Sequence, residues 1–284
     1  MHPGVKTGLR PRLIRLVEAL AILALLVPVL AQSQPLAHGH AHNDYLHERP
    51  LLDALEHGFI SVEADVFLIG GELRVAHTIF GARPGRTLER LYLEPLRERV
   101  AEQCGGVYSS DLPFTLLIDI KSDADETYLA LREVLAGYRD ILTTFGPGGH
   151  PGAIIVIISG NRPRRLMESE TVRYAAFDGR LTDLNSSVPV EFMPLISDRW
   201  TSNFRWDGRG EMPRSEREKL HAIVEAAHAQ GRRLRFWATP DRDTPARDAL
   251  WRELLAAGVD LINTDDLEGL QRFLLEQEGI PGHR

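Results

Sequence analysis

The feature that most constrains the fold is a regular alternation of short apolar segments with longer amphipathic segments. The short segments are rich in β-branched and aliphatic residues, and those between them have helical spacing. This alternation is typical of βα units, in which a helix returns the chain to the next parallel strand. The predicted strands are Leu36–Ala37, Ile60–Val66, Leu73–Ala76, Thr115–Ile120, Ile154–Ser159, Val172–Ala176, Phe192–Ile196, Arg235–Ala238 and Leu261–Asn263. The predicted helices are Arg49–His57, Leu88–Gln103, Asp125–Tyr138, Arg214–Gln230 and Thr244–Ala257.

Eight or nine strands in a chain of 284 residues predict a single TIM-like (β/α)8 barrel of the α/β class. We expect the surplus strand to lie between Val172 and Ile196, where the barrel register is hardest to fix. The alternative is an open, doubly wound sheet. That fold usually carries a Gly-rich phosphate turn after a strand, and none follows a strand in this sequence. The sequence therefore favours the barrel.

The amino-terminal segment has the pattern of a secretory signal peptide. Four basic residues precede a short apolar run, Ala19–Ala31, and small residues stand where cleavage after Ala31 requires them. The alternative is an uncleaved membrane anchor, but a spanning helix needs about 20 apolar residues. We therefore expect a signal peptide over 1–31, a barrel domain over 32–284, and export to the periplasm or the exterior.

Composition excludes some classes of partner. The formal net charge of −7 argues against nucleic-acid binding. The single cysteine, Cys104, allows no internal disulfide, and no nucleophile signature surrounds it. The partner expected instead is a small-molecule or lipid phosphodiester, with peripheral membrane contact left open and the oligomeric state undetermined.

Three acidic residues interrupt otherwise apolar strands. Glu63 and Asp65 lie two apart at the end of the second strand, so both side chains point to the same face. Asp119 lies near the end of the fourth, and the ends of barrel strands converge on one site. Carboxylates in apolar surroundings repel one another and lose hydration unless a cation accompanies them. The pattern predicts one divalent cation, and all-oxygen ligands favour Mg²⁺ or Ca²⁺ over Zn²⁺.

Histidines flank the acidic pair. His77 ends the third predicted strand, and His40 and His42 follow the first. An imidazole, with its pKa of about 6.5, transfers protons in both directions near neutral pH, which suits general acid/base catalysis. Phosphodiester cleavage needs such groups together with a cation. Lys121, two residues beyond Asp119, is placed to hold a phosphate oxygen.

The same residues carry a resemblance to the glycerophosphodiester phosphodiesterase superfamily, which includes phosphatidylinositol-specific phospholipase C and spider sphingomyelinase D. It spans about Leu36 to Leu270. The run His40-Ala41-His42-Asn43-Asp44-Tyr45 is similar to a branch that includes the fungal altered-inheritance-of-mitochondria proteins. The motifs that carry the resemblance are His42, Glu63-Ala64-Asp65, His77, Asp119-Ile120-Lys121 and Trp237.

The resemblance implies a role for each matching position. The cation ligands would be Glu63, Asp65 and Asp119. His77 would be one catalytic histidine, and the other would be His42 or His40, with His42 preferred. The positions implied to contact substrate are Lys121, Trp237 and Asn43, the last through the His-x-x-Asn spacing of the sphingomyelinases.

Departures from the superfamily pattern leave the substrate open. Asn43 stands where an arginine usually follows the first catalytic histidine, and the Glu-Asn-Thr element of glycerophosphodiesterases is absent. The third implied ligand is Asp119, where a glutamate is common. The function expected is metal-dependent cleavage of a glycerophosphodiester or of a (lyso)phospholipid head-group bond.

Two other functions are compatible with parts of the pattern. His40-Ala41-His42 satisfies the first His-x-His element of an amidohydrolase-like metal hydrolase, although the later strands lack further histidines. A barrel that binds phosphate esters or phospholipids without cleaving them is the second alternative. Retention of both histidine positions and all three acids argues against it.

Overall fold

The computed structural model describes residues 1–2, 33–110 and 112–279. The predicted signal peptide therefore lies outside the described residues, except for Met1 and His2. The chain divides into two units, 1–32 and 33–284, and every strand and helix given below belongs to the second. None of the described helices combines the length and apolar character needed to cross a membrane.

Eight parallel strands close into a barrel. Each pairs with its neighbours in parallel register, and β1 pairs with both β2 and β9, which closes the ring. This confirms the predicted TIM-like barrel. The nine strands of the sheet are β1 Leu36–Ala41, β2 Phe59–Ile69, β3 Glu72–Val75, β4 Phe114–Ile120, β5 Ile154–Gly160, β6 Ala176–Gly179, β7 Leu195–Arg199, β8 Arg233–Trp237 and β9 Leu261–Thr264.

The surplus strand is β3, so its predicted place between Val172 and Ile196 was wrong. Among the strands of the described residues, β3 pairs with β2 alone, antiparallel, with Ile69 opposite Glu72. Gly70 and Gly71 form the two-residue turn between them, at φ 60° and 83°, a conformation that glycine adopts without strain. A parallel crossover would need a dozen or more residues here. His77 therefore follows a hairpin arm outside the barrel.

All five predicted helices are present, with bounds that differ by a few residues, and shorter helices and turns are added. Two barrel strands begin later than predicted. β6 starts at Ala176 instead of Val172, because Arg173 pairs with Phe145 in an isolated bridge, and β7 starts at Leu195 instead of Phe192. A π-turn at Glu89–Leu93 leads into the second helix, and 3-10 turns occupy Asp44–Leu46, Ile79–Gly81 and Leu181–Asp183. The helices of the described residues are α1 Leu52–Glu56, α2 Glu94–Glu102, α3 Ala124–Ala136, α4 Arg164–Ser169, α5 Trp200–Asn203, α6 Arg214–His228, α7 Pro245–Ala257 and α8 Leu267–Gln277.

The barrel interior changes from apolar to polar along the strands. One small buried cluster takes a single residue from each of five strands: Leu117, Ile157, Ala176, Leu195 and Leu261. Side chains two residues further along point the same way, and these are polar: Asp119, Ser159, Asp178, Ser197 and Asn263. The apolar layer fills the interior of the barrel, and the polar layer lies at the carboxyl ends of the strands, where TIM-barrel sites are found.

Candidate metal and acid/base site

The three predicted acids meet at the carboxyl ends of β2 and β4. Parallel pairing places Asp65 directly beside Asp119, and Glu63 precedes Asp65 on the same face. Each offers a carboxylate oxygen, and these oxygens lie within 4.8 Å of one another. Glu63 and Asp65 are buried, and Asp119 is partly buried. The two-residue period of β2 thus produces the convergence expected from the sequence.

Two cationic side chains partly neutralise this cluster. Arg235 Nη1 lies 2.6 Å from Glu63 Oε2 in a buried ion pair. Lys121 Nζ lies 3.3 Å from Asp65 Oδ2 and 3.1 Å from Asp119 Oδ1. Burial alone would raise the pKa of Glu63. The Arg235 charge, together with the hydrogen bond to His40 and the influence of His42, outweighs burial and holds that pKa well below its ordinary value. Three carboxylates against two cations leave the cluster one negative charge in excess.

The acids fit a divalent cation. Burial raises the pKa of Asp65 despite Lys121, and burial likewise raises the pKa of Asp119, so ionising both without further positive charge is unfavourable. Asp65 Oδ1 is buried, and no described residue hydrogen-bonds to it. An orphaned carboxylate oxygen among converging acids is what an oxygen-seeking cation such as Mg²⁺ or Ca²⁺ requires.

His42 approaches the cluster from the end of β1. Its Nδ1 lies 2.7 Å from Asp265 Oδ1, and its Nε2 lies 3.9 Å from Glu63 Oε1. Burial alone would lower the pKa of His42. The hydrogen bond to Asp265 and the charge on Glu63 outweigh burial and raise it. Asp265 therefore fixes the ring through Nδ1 and leaves Nε2 facing the acids.

His77 reaches the acidic cluster from the segment that follows β3. Its Nδ1 lies 3.0 Å from the Tyr45 hydroxyl oxygen and 3.4 Å from Asp65 Oδ2. The imidazole is largely exposed, so its Nε2 is open to a ligand. The buried Tyr45 hydroxyl also lies 2.7 Å from Asp65 Oδ2. Tyr45 thus joins an exposed histidine to a buried acid of the cluster.

A chain of hydrogen bonds links the two histidines. Asn43 Nδ2 donates to Asp265 Oδ1 at 3.2 Å, and Asn43 Oδ1 lies 2.6 Å from the Tyr45 hydroxyl. The single hydroxyl proton of Tyr45 can go to only one of Asn43 Oδ1, Asp65 Oδ2 and His77 Nδ1. Asn43 takes the left-handed conformation, φ 46°, which asparagine tolerates better than most residues. This turn carries the chain from His42 to Tyr45 and lets both reach the site.

His40 occupies a different environment. It is fully buried, with Nδ1 2.7 Å from Ser61 Oγ and Nε2 against Arg235 Nη1. Burial and the adjoining Arg235 charge lower the pKa of His40 to about 3, so the ring is neutral at physiological pH. Both ring nitrogens are engaged within the barrel. His40 thus contacts both members of the Arg235–Glu63 ion pair from inside the barrel.

Of the three residues predicted to contact substrate, two lie within the site and one lies at the end of β8. Lys121 lies within the acidic cluster, and Asn43 lies in the chain between the two histidines. Trp237, at the end of β8, stacks under the Arg199 guanidinium, whose Cζ is 5.5 Å from the ring centroid. A role for Trp237 in substrate binding stays a prediction.

Sequence reasoning gave no role to two residues that the structure places in the site. Arg235 could have been found from the period of β8, because Arg233, Arg235 and Trp237 alternate onto one face. Tyr45 follows His42 by three residues, yet nothing in that spacing signals its contact with His77, which comes from a separate hairpin. Asp265, which anchors His42, directly follows β9, and a polar residue at the carboxyl end of a barrel strand is the signal that could have pointed to it.

The fold is a TIM barrel with acids and histidines at the carboxyl ends of its strands, and comparison with known families places it in a phosphodiesterase class. The family model described as AIM6-like phosphodiesterase domain matches residues 29–178. A second model, of the glycerophosphoryl diester phosphodiesterase family, matches residues 233–268. Since the first match covers more than half of the chain, the protein belongs to the AIM6-like phosphodiesterase domain family.

Individual relatives are similar along most of the chain. An altered inheritance of mitochondria protein 6 homolog from Arthroderma benhamiae is 29% identical over 260 residues, covering 82% of each protein. The altered inheritance of mitochondria protein 6 of Eremothecium gossypii is 28% identical over 296 residues, covering 90% of this chain and 72% of its own. A glycerophosphoryl diester phosphodiesterase structure from Parabacteroides distasonis shares the fold, with TM-score 0.51 and 13% identity over 88% of this chain and 89% of its own.

Proposed function

We propose that this protein is a metal-dependent phosphodiesterase that cleaves a glycerophosphodiester or a (lyso)phospholipid head-group bond. The observation that carries the proposal is the placement of two imidazoles, each held through Nδ1, on either side of a three-carboxylate cluster. His42 is anchored by Asp265 and His77 by Tyr45. Each ring can then present Nε2 to a substrate bound at the acids.

The cation would be held by Glu63, Asp65 and Asp119, which offer the converging oxygens. Mg²⁺ and Ca²⁺ suit these ligands, and either would neutralise negative charge on the phosphoryl oxygens. Lys121, with its ammonium between Asp65 and Asp119, is placed to contact a phosphoryl oxygen as well.

Proton transfer would be shared between His42 and His77. One ring removes the proton of the attacking hydroxyl, and the other protonates the leaving alkoxide. A neighbouring hydroxyl of the substrate or a water molecule could attack, giving a cyclic phosphate or a hydrolysed product. His40 is excluded from direct proton transfer in this proposal because it is fully buried and bonded at both nitrogens.

The geometry favours a phosphodiesterase over an amidohydrolase-like enzyme. An amidohydrolase would use His40 and His42 together as metal ligands. In the described structure, His40 Nε2 faces Arg235, and the potential ligand cluster consists of acids alone. Metal analysis separates the two: stoichiometric Zn²⁺ would support the amidohydrolase, and Mg²⁺ or Ca²⁺ the phosphodiesterase.

A substrate panel tests the proposal. The full chain is assayed on glycerophosphocholine, glycerophosphoinositol, lysophosphatidylcholine and phosphatidylinositol, first in excess chelator and then after Mg²⁺ or Ca²⁺ is restored. We expect cleavage of at least one substrate only with the cation present. Full activity in chelator would refute the metal assignment. Stoichiometric binding of these compounds without turnover would favour the non-catalytic barrel.

A further inference from the structure

Three large apolar side chains stand exposed beside His77. The exposed fraction is 96% for Phe80, 66% for Leu46 and 57% for Ile79. Leu46 borders the same cleft of about 380 Å³ as His77 and the turn that carries Ile79 and Phe80. We call Leu46, Ile79 and Phe80 the apolar rim. Single exposed apolar residues are ordinary, but several of them around one cleft next to a candidate site indicate an interaction surface.

The turn Ile79–Gly81, which carries two of the three rim residues, is held in place by its own backbone. Gly81 N–H donates to Thr78 O at 2.9 Å, and Ala82 N–H donates to Ile79 O at 3.2 Å. At the base of the loop, Val75 N–H donates to Arg86 O at 2.8 Å. Phe80 is therefore presented outwards on an ordered turn, and little conformational entropy remains to be lost when it is buried by a partner.

The segment that carries Ile79 and Phe80 is basic, although the whole chain is acidic. Between His77 and Arg90 there are three arginines and one glutamate, whereas the formal net charge of the chain is −7. Arg83 and Arg90 are exposed, and neither forms an ion pair with any residue in the described part of the chain. Uncompensated positive charge beside protruding apolar side chains complements an anionic, apolar-backed surface.

We propose that the apolar rim docks the protein onto an anionic lipid surface, with Phe80 and Ile79 entering the interface and Arg83 facing the lipid phosphates. A second copy of the chain is a poorer occupant. A stable protein interface buries about 800 Å² on each partner, and the three side chains of the apolar rim supply far less. Because His77 borders the same cleft, docking would bring the candidate site against the head groups. The proposal concerns binding and does not depend on the proposed phosphodiesterase activity.

A fluorescent reporter on the rim tests the proposal. The exposed Cys104 is removed as Cys104→Ser, and an environment-sensitive label is attached through Leu46→Cys in the full chain. The matched control carries the label through Val172→Cys, another exposed apolar position, which precedes β6 at the amino end of the barrel. Each protein is titrated with vesicles of three parts phosphatidylcholine to one part phosphatidylglycerol. A local reporter is needed because the apolar amino-terminal run could itself attach the chain to vesicles.

The label at position 46 should shift to the blue on adding vesicles, and the label at position 172 should not. Adding Phe80→Ser should raise the lipid concentration at half-maximal response by about ten- to a hundredfold. Adding Arg83→Gln should raise it about fivefold on these vesicles and little on phosphatidylcholine alone. No response at position 46, an equal response at position 172, or an unchanged midpoint with Phe80→Ser would overturn the proposal. A response that depends on protein concentration without lipid would assign the rim to a second copy instead.

Discussion

The Tyr45 hydroxyl oxygen lies 3.0 Å from His77 Nδ1, although the two residues reach the site from different strand ends of the sheet. Tyr45 is buried and His77 is largely exposed. The buried phenol can therefore fix the ring plane of an imidazole that would otherwise turn freely in solvent. It also touches Asp65, so the orientation of His77 is tied to the carboxylate cluster.

Tyr45→Phe should lower kcat about tenfold and leave KM nearly unchanged, because the lost hydrogen bond orients His77 without contacting substrate. The measurement is steady-state kinetics on whichever substrate the panel identifies. Tyr138→Phe, at a partly exposed tyrosine far from the site, is the matched control and should behave as the parent. An unchanged kcat for Tyr45→Phe would show that His77 needs no such support.

Asp65→Asn should weaken divalent-cation binding by at least about a hundredfold, since even groups that only orient metal ligands are worth about 10- to 100-fold. In chelator, the variant should be as stable as the parent or more so, because burial penalises the ionised Asp65 carboxylate. Calorimetric titration with Mg²⁺ and Ca²⁺ measures the first effect, and thermal unfolding the second. Asp125→Asn, on the exposed face of α3, serves as control. Unaltered affinity in Asp65→Asn would remove Asp65 from the ligand set.

Asp44 should make the protein less stable as the pH rises. Its buried carboxylate accepts hydrogen bonds from Leu51 N–H and the Tyr92 hydroxyl, yet burial raises its pKa from 3.8 to about 7. The folded state therefore binds a proton that the unfolded state has released between these values. The free energy of unfolding should fall by on the order of 4 kcal/mol from this group between about pH 4 and pH 7, and then level off.

The test of the Asp44 prediction is denaturant unfolding of the parent and Asp44→Asn at about pH 5 and pH 8. Other titrating groups contribute equally to both proteins, so the difference between them isolates Asp44. We expect the free energy of unfolding of Asp44→Asn, relative to that of the parent, to be higher at the higher pH. A difference that stays constant with pH would mean that Asp44 is ionised throughout.

The amino-terminal segment predicts processing. If residues 1–31 are a signal peptide, the mature chain should begin near Gln32 and be found outside the cytoplasm. Amino-terminal sequencing of protein from fractionated cells measures this, with Ala31→Leu as a variant that should slow cleavage. A cytoplasmic pool with an intact amino terminus would contradict the prediction.

The barrel and its acidic cluster could be predicted because each rests on a local period. Glu63 and Asp65 share a face for the same reason that any residues two apart on a strand do, and parallel pairing brings Asp119 beside them. The place of β3 was missed because a short apolar segment does not reveal the direction of its pairing. The Gly70-Gly71 pair before it predicts a two-residue hairpin turn, and therefore antiparallel pairing with β2.

The contacts within the site were harder to predict because they join distant segments. Both His40 and His42 lie near Glu63, and which of them also faces the open end of the barrel depends on how far β1 extends. Because β1 runs to Ala41, His40 is left buried inside the barrel. The links from Asp265 to His42 and from Tyr45 to His77 depend on loop conformations, such as the left-handed turn at Asn43. No sequence period encodes these contacts.

Substitutions at His42 and His40 distinguish a catalytic histidine from a structural one. His42→Ala should lower kcat by about 10²- to 10⁴-fold, as loss of a positioned acid/base group does. His40→Ala should chiefly reduce stability, because it removes the buried partner of Ser61 and one of the two buried partners of Arg235. Thermal unfolding and kcat, measured on both variants, distinguish the roles. A severe kinetic defect in a stable His40→Ala protein would reverse the assignment.

The most direct test of the central claim is the kcat of folded, metal-loaded His77→Ala on a phosphodiester substrate that the parent cleaves. Circular dichroism and metal analysis must first show that fold and cation content match the parent. We predict a fall in kcat of about 10²- to 10⁴-fold with cation affinity little changed, since the acids and not His77 hold the metal. A normal kcat in that protein would contradict the proposal that His77 transfers a proton in phosphodiester cleavage.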